Sequence, residues 1–484
     1  MSSSSEIRTG GRLVMLPRYA WAYVGCVLFA EPALTQTPEI QVHDIGTLGG
    51  RFTQITDMNE AGEVTGYSET ADGQVHAFVY AQGTLHDLGS LGGAGSLANA
   101  INDSGQITGF SLTAAGEAHA FLYGSGSMSD LGTTGITSSG KAINTTGKLA
   151  GEISRSDGQL DAMLYSKSGM HDLGAMGGSS STSEAINKAA QVTGTYEDST
   201  GSHAFLYSGG SMVDLMPGNP SFVAGTRAIN DAGAVAGTVQ TSQSMHGFVY
   251  RDGNATDIGT LGADYTVATA INSAGKVTGI SARADGERHA FIYSAGTMTD
   301  VGTLGGTFSV GYALNDSDQV AGESMTASGA LHAFVSENGT LLDLGQSVEA
   351  LAPAGTVVES VAMGINRAGQ VIGRYTLSDP ADTQMPKKTR GFIAAAASAA
   401  TASVVSLFEE LIATVTGIGP GKSLEKKLQE ALAHYLVHDI KGSCSQLSAF
   451  TNEVHAQDGK KIEHATALQL IQQAGAISSA IPCS

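Results

Sequence analysis

The residues of this sequence best suited to chemistry are six histidines, each followed by an aspartate eleven positions later. A histidine beside a carboxylate can take part in acid–base catalysis, and a neutral imidazole can bind a metal ion. Six copies spread evenly along the chain cannot converge on one metal, so we expect a structural His–Asp hydrogen bond in each copy instead. The pairs are His76 and Asp87, His119 and Asp130, His203 and Asp214, His246 and Asp257, His289 and Asp300, and His332 and Asp343.

Two further copies of this motif depart from the pattern. Arg390 stands at the histidine position of the last copy, with no Asp-Leu-Gly run after it, whereas a spare run of this type begins at Asp44, ahead of all the others. We therefore expect Asp44 to pair with Arg390, whose guanidinium keeps a donor there. In the third copy Asp161 replaces the histidine and would face Asp172, so repulsion predicts that Asp161 points to solvent.

The motif belongs to a repeat that fills most of the chain, with steps of 42 or 43 residues and one final step of 51. Each copy, such as Leu97–Gly132, has four short runs rich in Ile, Val, Phe, Tyr and Thr between Gly- and Asn-containing turns, which predicts four antiparallel strands. The third run is apolar on both faces, which favours sheets stacked against one another. An asparagine marks each copy: Asn59, Asn102, Asn144, Asn187, Asn230, Asn272, Asn315 and Asn366.

The offset between the spare first run and the incomplete last copy predicts how the repeats end. We expect Gln41–Gly46 to supply the missing fourth strand by pairing with Thr389–Ala394, which removes the open sheet edges. The predicted fold is a mainly β chain with an eight-bladed β-propeller over residues 37–394. An open β-solenoid is the alternative, and it gives no reason for the offset.

The runs AINDSGQITG, AHAFLY and DLGTLGG resemble the bacterial extracellular HAF repeat, named for its His-Ala-Phe box. The resemblance covers roughly three quarters of the chain. It implies a bacterial extracellular protein and supplies no established activity.

The first 36 residues are typical of a secretory signal. Arg8, Arg12 and Arg18 precede the apolar stretch Tyr19–Ala30, which is too short to span a bilayer. We therefore expect an exported protein, extracellular or at the cell surface, with no integral membrane segment after removal of residues 1–36. The formal net charge of −20 argues against a nucleic-acid partner, because phosphates require a basic face.

After a linker rich in small residues, 395–403, the apolar spacing becomes helical over residues 404–484. The segments LFEELIATVTGIGPGKSLEKKLQEALAHYL and CSQLSAFTNEV resemble the FIMAH domain, a small helical module of bacterial secreted proteins. Cys444 and Cys483 are the only cysteines that remain after signal removal, and we expect them to form a disulfide. The predicted helices are Val404–Val415, Ser423–Val437, a stretch around Ser443–Gln457, and Glu463–Ser479.

The last repeat carries two insertions, within Gln346–Ser360 and Thr376–Thr389, which are expected on the same face of the propeller. Loops on a rigid scaffold commonly carry function, although a closing blade also tolerates insertion. Asn315–Asp318 and Asp198–Gly201 are only fragments of a calcium loop, so calcium is a minor alternative to the absence of a cofactor. The candidate ligand-face residues in the second insertion are Asp379, Asp382, Lys387 and Lys388.

No nucleophile elbow, phosphate-binding loop or dinucleotide fingerprint occurs in the sequence. We therefore expect a non-enzymatic binding or scaffold protein with an extracellular ligand, either a glycan or a protein. The alternative is a lyase or hydrolase of extracellular polymer, with its site on the face bearing the insertions of the last blade. An acid–base pair at the mouth of the channel would favour the enzyme, and uniform polar residues there would favour binding or a purely structural role.

Overall fold

The computed structural model describes residues 40–217, 223–240, 244–337, 339–352, 356–378 and 387–396, and most of 404–483. The predicted signal segment 1–36, most of the predicted linker, and the insertion residues Asp379 and Asp382 lie outside the described residues. Mainly β-structure is followed by a small helical region at the C-terminal end.

The β-region follows one plan, in which four successive strands pair antiparallel to form one repeat unit. The strands rise from the Ile-, Val-, Phe- and Thr-rich runs and end at the Gly-containing turns, as β-propensity predicts. Unit 1 is Gly49–Met58, Val64–Thr70, Val75–Ala81 and Thr84–Asp87 (β2–β5); unit 2 is Gly92–Ile101, Ile107–Thr113, Ala118–Gly124 and Ser127–Asp130 (β6–β9); unit 3 is Thr137–Ile143, Leu149–Ser154, Leu160–Ser166 and Gly169–Gly174 (β10–β13); unit 4 is Ser180–Ile186, Val192–Asp198, Gly201–Ser208 and Ser211–Asp214 (β14–β17).

The later units repeat this plan. Unit 5 is Val223–Ile229, Val235–Gln240, Met245–Arg251 and Asn254–Asp257 (β18–β21); unit 6 is Gly262–Ile271, Val277–Arg283, Arg288–Ser294 and Thr297–Gly302 (β22–β25); unit 7 is Gly305–Leu314, Val320–Thr326, Leu331–Glu337 and Thr340–Asp343 (β26–β29). Unit 8 contains Val357–Ile365, Val371–Ser378 and Lys387–Ala396 (β30–β32), and its fourth strand is the N-terminal β1, Ile40–Asp44.

The strand β1 pairs antiparallel with β32, and Asp44 lies opposite Phe392. The same register places Asp87 opposite Phe78 and Asp130 opposite Phe121, so the N-terminal strand takes the place of a regular fourth strand. The predicted pairing of the first and last strands is therefore present. It lies toward the end of β32, at Phe392–Ala396, and is extended by the hydrogen bond from Ile45 N to Gly391 O.

The hydrophobic core lies between neighbouring units. One cluster joins Ala77 and Leu88 of unit 1 to Ile107 and Phe121 of unit 2, and Phe121 is fully buried. This packing explains why the third strand is apolar on both faces, because each face meets a different unit.

The first strands of consecutive units lie side by side, and β2 of unit 1 also lies next to β30 of unit 8. Each first strand is interrupted by a β-bulge, where one residue has no partner on the second strand. A bulge re-aims the side chain it carries. We refer to the surface formed by these eight residues as the inner surface: Thr56, Asn99, Lys141, Glu184, Arg227, Thr269, Tyr312 and Met363.

Unit 8 is the irregular one, as expected. Its first insertion contains a short helix, α1, Gly345–Glu349. Its second insertion leaves β31 at Ser378 and rejoins the sheet at Lys387, which pairs with Ser378.

In the C-terminal region, those residues of 404–415 that the structure describes are helical, and three helices follow. They are α2, Gly421–Leu436; α3, Ile440–Gln457; and α4, His464–Ala480. Leu424, Leu428 and Phe450 are fully buried in their common core. Cys444 and Cys483 form the predicted disulfide, with a Cα–Cα distance of 5.5 Å. No helix among the described residues is both long and apolar enough to cross a bilayer.

Candidate functional site

The repeated asparagines lie in the turns after the first strands, and each is buried. Asn102 is typical: its Oδ1 accepts from the backbone N–H groups of Ser104 and Gln106, and its Nδ2 donates to Gln106 Oε1 and to Asn144 O. All four hydrogen-bonding positions of this amide are therefore used within the protein. Since no donor or acceptor remains for a ligand, the asparagines act in the framework.

These amides also link every unit to the next. Each Nδ2 donates to the backbone oxygen of the next asparagine along the chain, and Asn366 returns to Asn59 O at 3.5 Å. The hydrogen bonds thus form a cycle that runs from unit 1 to unit 8 and back.

Five of the six predicted His–Asp pairs are brought together by the hairpin of the third and fourth strands. His76 Nδ1 lies 2.9 Å from Asp87, and His246 Nδ1 lies 2.7 Å from Asp257. Each aspartate also accepts from a backbone N–H two residues later, as from Gly89 to Asp87. The carboxylate therefore fixes both the imidazole and the turn to the next unit. The other three pairs are His119 with Asp130, His289 with Asp300, and His332 with Asp343.

The sixth pair is different, because a tyrosine from the second strand competes for the carboxylate. Tyr196 Oη donates to Asp214 Oδ2 at 3.2 Å. His203 stacks on the Tyr196 ring, lies 3.8 Å from Asp214, and instead contacts Asp198 and Thr200. The expected His203–Asp214 hydrogen bond is therefore absent from unit 4.

Unit 8 repeats this exception, so the predicted Arg390–Asp44 pair is wrong in its partner. Tyr375 Oη donates to Asp44 Oδ2 at 2.9 Å, and Gly46 N donates to Asp44 Oδ1. Tyr375 lies opposite Arg390 on the neighbouring strand and is almost fully buried. The Tyr375 hydroxyl, and not the predicted Arg390 guanidinium, therefore donates to the Asp44 carboxylate.

The expectation that Asp161 points to solvent is also wrong. Asp161 is only 2% exposed, and Arg155 Nη1 lies 3.3 Å from its carboxylate. Burial, and next the charge of Asp172, raises the pKa of Asp161. Arg155 lies in the turn before the third strand and compensates the buried charge, a partner that the two-carboxylate argument left out.

On the inner surface the units differ in residue type. The three residues that follow the bulge are nearly the same in every unit, ending in Ile-Asn or a close variant, whereas the bulge residue itself is Thr, Asn, Lys, Glu, Arg, Tyr or Met. The three small polar side chains at this position are used between units: Thr56 donates to Ala98 O, Asn99 donates to Gly140 O, and Thr269 donates to Gly311 O. The charged and aromatic residues at this position are exposed instead: Lys141, Glu184, Arg227 and Tyr312.

Three consecutive units, 3 to 5, place charges of alternating sign on the inner surface. Lys141 Nζ lies 3.4 Å from Glu152 of the second strand. Burial raises the pKa of Glu184, and the nearby charges of Arg227 and Lys141 oppose that rise. The neighbouring charges of Arg227 and Lys141 are thus what favours the ionised form of Glu184.

A second charged group lies in units 7 and 8. Tyr312 Oη donates to Glu323 Oε1 at 2.8 Å, and burial raises the pKa of both groups. Arg374 of β31 lies close enough to favour the charged form of Glu323. The charged side chains on and beside the inner surface thus form two clusters, one in units 3 to 5 and one in units 7 and 8, separated by neutral units.

No group of three or more histidine, cysteine or acidic side chains within the described residues could hold a metal ion. In the two fragments considered for calcium, Asp316 accepts from Ser273 N and Asp198 binds Thr200. Of the candidate insertion residues, Lys387 and Lys388 lie on β32, and Asp379 and Asp382 are outside the described part of the chain.

No family model matches the chain, and no curated protein matches it. Several solved structures resemble this chain at low sequence identity, including the following three. A puromycin-hydrolysing peptidase of Mycobacterium tuberculosis is 9% identical with a TM-score of 0.41, over 69% of this chain and 59% of that chain. The β-propeller domain of the Trilobed protease from Pyrococcus furiosus is 8% identical with a TM-score of 0.38, over 70% and 93%. TolB from Acinetobacter baumannii is 12% identical with a TM-score of 0.32, over 58% and 76%.

The chain thus spans less than two thirds of the length of the first of these structures.

Sequence reasoning missed the inner surface. The signal was present, because the position three residues before each repeated asparagine varies widely in charge while its neighbours do not. This signal could be interpreted only once the bulge was known, because a bulge changes the direction of the side chain from the one that regular alternation along the strand predicts.

Proposed function

We propose that this chain is a secreted or cell-surface bacterial binding protein, built as an eight-bladed β-propeller with a helical FIMAH-like module. Its ligand, a glycan or a protein segment, contacts the inner surface, which lines a central channel. The protein acts without catalysis. The export signal and the resemblance to HAF repeats support the location.

One observation carries the proposal: the polar groups that recur in every unit are used inside the framework, and the divergent ones are exposed. In a repeat protein, packing makes the same demand on every unit, so framework positions are alike. A position free of that demand varies, and binding residues are found at such positions on rigid scaffolds. The charged bulge residues of units 3 to 5 meet this description.

The propeller itself is supported by the cyclic order of the units. The fourth strand of unit 8 comes from the N-terminus, and β2 neighbours β30. Arg367 N donates to Glu60 Oε2 between units 8 and 1, as Glu60 N donates to Asp103 between units 1 and 2. The junction of the first and last units is thus built like an ordinary junction.

The test is a binding screen of the full secreted chain against glycans and secreted proteins. A variant with Lys141→Ser, Glu184→Ser and Arg227→Thr should lose binding of any ligand found, and its melting temperature should stay within about 2 °C of the parent, since exposed charges contribute little to stability. The matched control is Lys426→Ser with Glu430→Ser, an exposed pair on α2. Unchanged binding by the triple variant would contradict the proposed site, and shortening of a bound polymer would favour the lyase or hydrolase alternative.

A further inference from the structure

The strongest unused feature of the inner surface is the pair Glu184 and Arg227. They occupy the same bulge position on the neighbouring first strands β14 and β18. Their charges interact, since Arg227 favours the ionised form of Glu184. Within the described residues, however, neither side chain makes a hydrogen bond or an ion pair.

The surrounding charges are already matched. Lys141, on the other side of Glu184, is paired with Glu152 at 3.4 Å. Glu184 and Arg227 therefore remain as an exposed carboxylate and an exposed guanidinium on neighbouring strands, without a direct ion pair between them. Charge-assisted hydrogen bonds are roughly twice as strong as neutral ones, so a ligand that carries the matching charges can gain from both groups.

A ligand of one charge sign would satisfy one of these residues and oppose the other. An anion would approach Arg227 but also meet Glu184 and the protein's net charge of −20. A cation would meet Arg227. A ligand that carries both signs, spaced to reach adjacent strands, satisfies both residues at once.

We propose that Glu184 and Arg227 bind a zwitterion, with its ammonium group on Glu184 and its carboxylate on Arg227. The guanidinium can hold a carboxylate through two parallel N–H donors. This chemistry is offered by a free amino acid and by a short peptide with free termini. The inference rests on the proposed function, because it names the ligand class of the same inner surface.

Calorimetric titration of the full secreted chain with glycine, glycylglycine and triglycine tests the pair and distinguishes the two sources by their charge separation. We expect at least one of the three to bind, and we expect its N-acetyl and C-amide derivatives to bind at least tenfold more weakly. Glu184→Gln should weaken binding of the zwitterion tenfold or more, and N-acetylation of the ligand should not change the affinity of this variant further. Amidation of the ligand should likewise not change the affinity of the Arg227→Gln variant. Arg283→Gln is the matched control, since it removes a half-exposed arginine of unit 6 that is not part of the inner surface.

Equal binding of the blocked peptides, or equal loss in the Arg283→Gln control, would overturn the assignment. The exchange variant Glu184→Arg with Arg227→Glu keeps the net charge and should recover part of the affinity. If no zwitterion binds while the screened ligand binds and depends on Lys141, Glu184 and Arg227, this inference fails and the proposed function stands. If neither binds, both fail.

Discussion

The hydroxyl of Tyr375 donates a hydrogen bond to Asp44 Oδ2 over 2.9 Å and joins residues that are 331 positions apart. Tyr375 belongs to the second strand of unit 8, and Asp44 ends the N-terminal strand that completes that unit. Tyr196 makes the same contact with Asp214 inside unit 4, where the two residues are only 18 positions apart. The two tyrosines therefore offer a matched comparison. Tyr375 contacts a strand from the other end of the β-region, whereas Tyr196 contacts a strand that follows it directly in the chain.

Tyr375→Phe should lower the free energy of unfolding by about 1 kcal/mol, because a nearly buried hydroxyl loses a charged acceptor. Tyr196→Phe should cost less, because His203 already lies 3.8 Å from Asp214 and can turn to replace the lost donor. Urea unfolding of both variants, with Asp44→Ala and the double variant to complete a cycle, gives the coupling energy. A Tyr375–Asp44 coupling energy indistinguishable from zero would show that this hydrogen bond does not stabilise the attachment of the N-terminal strand to unit 8.

Arg155→Ala should destabilise the protein by on the order of 1–3 kcal/mol, because it leaves Asp161 buried beside Asp172 without its compensating charge. Adding Asp161→Asn should recover much of the loss, since the buried group is then neutral. Asp161→His, which restores the regular motif opposite Asp172, should be tolerated with or without Arg155. Thermal melts of the four variants check this order, and an Arg155→Ala protein as stable as its parent would show that Asp161 does not depend on the guanidinium.

Asp57 gives the stability a predictable pH dependence. Burial raises its pKa to about 6 from the usual 3.8, although Ile101 N and Met58 N donate to its carboxylate. Because the folded state holds the proton more tightly, the contribution of Asp57 to stability is fully present below pH 3.8 and is lost as the pH rises through about 6. The seven other units carry alanine or glycine at this position.

Asp57→Ala should therefore remove on the order of 2 kcal/mol from the fall in unfolding free energy between pH 4 and pH 7. Urea unfolding at these two pH values measures the difference. Asp264→Ala, which removes an exposed carboxylate from unit 6, is the control and should leave the slope unchanged. If both variants follow the parent curve, Asp57 does not titrate in this range.

Reduction of the Cys444–Cys483 disulfide should destabilise the helical region by about 3–4 kcal/mol, because the bond closes a long loop in the unfolded chain. The two cysteines are 39 positions apart. Cys444→Ser with Cys483→Ser should reproduce the effect of a reducing agent and abolish any further response to it. Free-thiol titration of the untreated purified protein is the direct check, and two reactive thiols there would refute the bond.

The sequence predicted most of the fold because the repeat carries it. The pairing of the N-terminal strand with the last strand of unit 8 followed from the offset between the spare first run and the incomplete last unit. Its side-chain partner did not follow, because Tyr375 comes from a third strand whose neighbours become visible only in the folded sheet. A signal was available: Tyr196 and Tyr375 stand where units 1, 2, 6 and 7 carry serine, and the units with these tyrosines, 4 and 8, are two of the three that lack the His–Asp hydrogen bond.

The candidate site was harder to predict than the fold. Repetition identified the residues that recur, and these proved to serve the framework, as the fully bonded Asn102 shows. Glu184 and Arg227 recur in no other unit, and strict alternation along the strand would not place them on an exposed surface. The bulge in each first strand changes the direction of the side chain at this position.

The N-terminal strand also sets the order in which the molecule can be completed. Asp44 is made first, and Tyr375 follows 331 residues later. At a synthesis rate of about 5–20 residues per second, roughly 15–65 s pass between the synthesis of Asp44 and that of Tyr375, and the partner strand β32 follows shortly afterwards. Units 1 to 7 can form their sheets as they emerge, whereas unit 8 cannot be finished until the last strand of the β-region exists. During that interval the apolar side chains of Ile40 and Val42 are uncovered, so the nascent chain is most exposed to proteases and to self-association just before its final strand arrives.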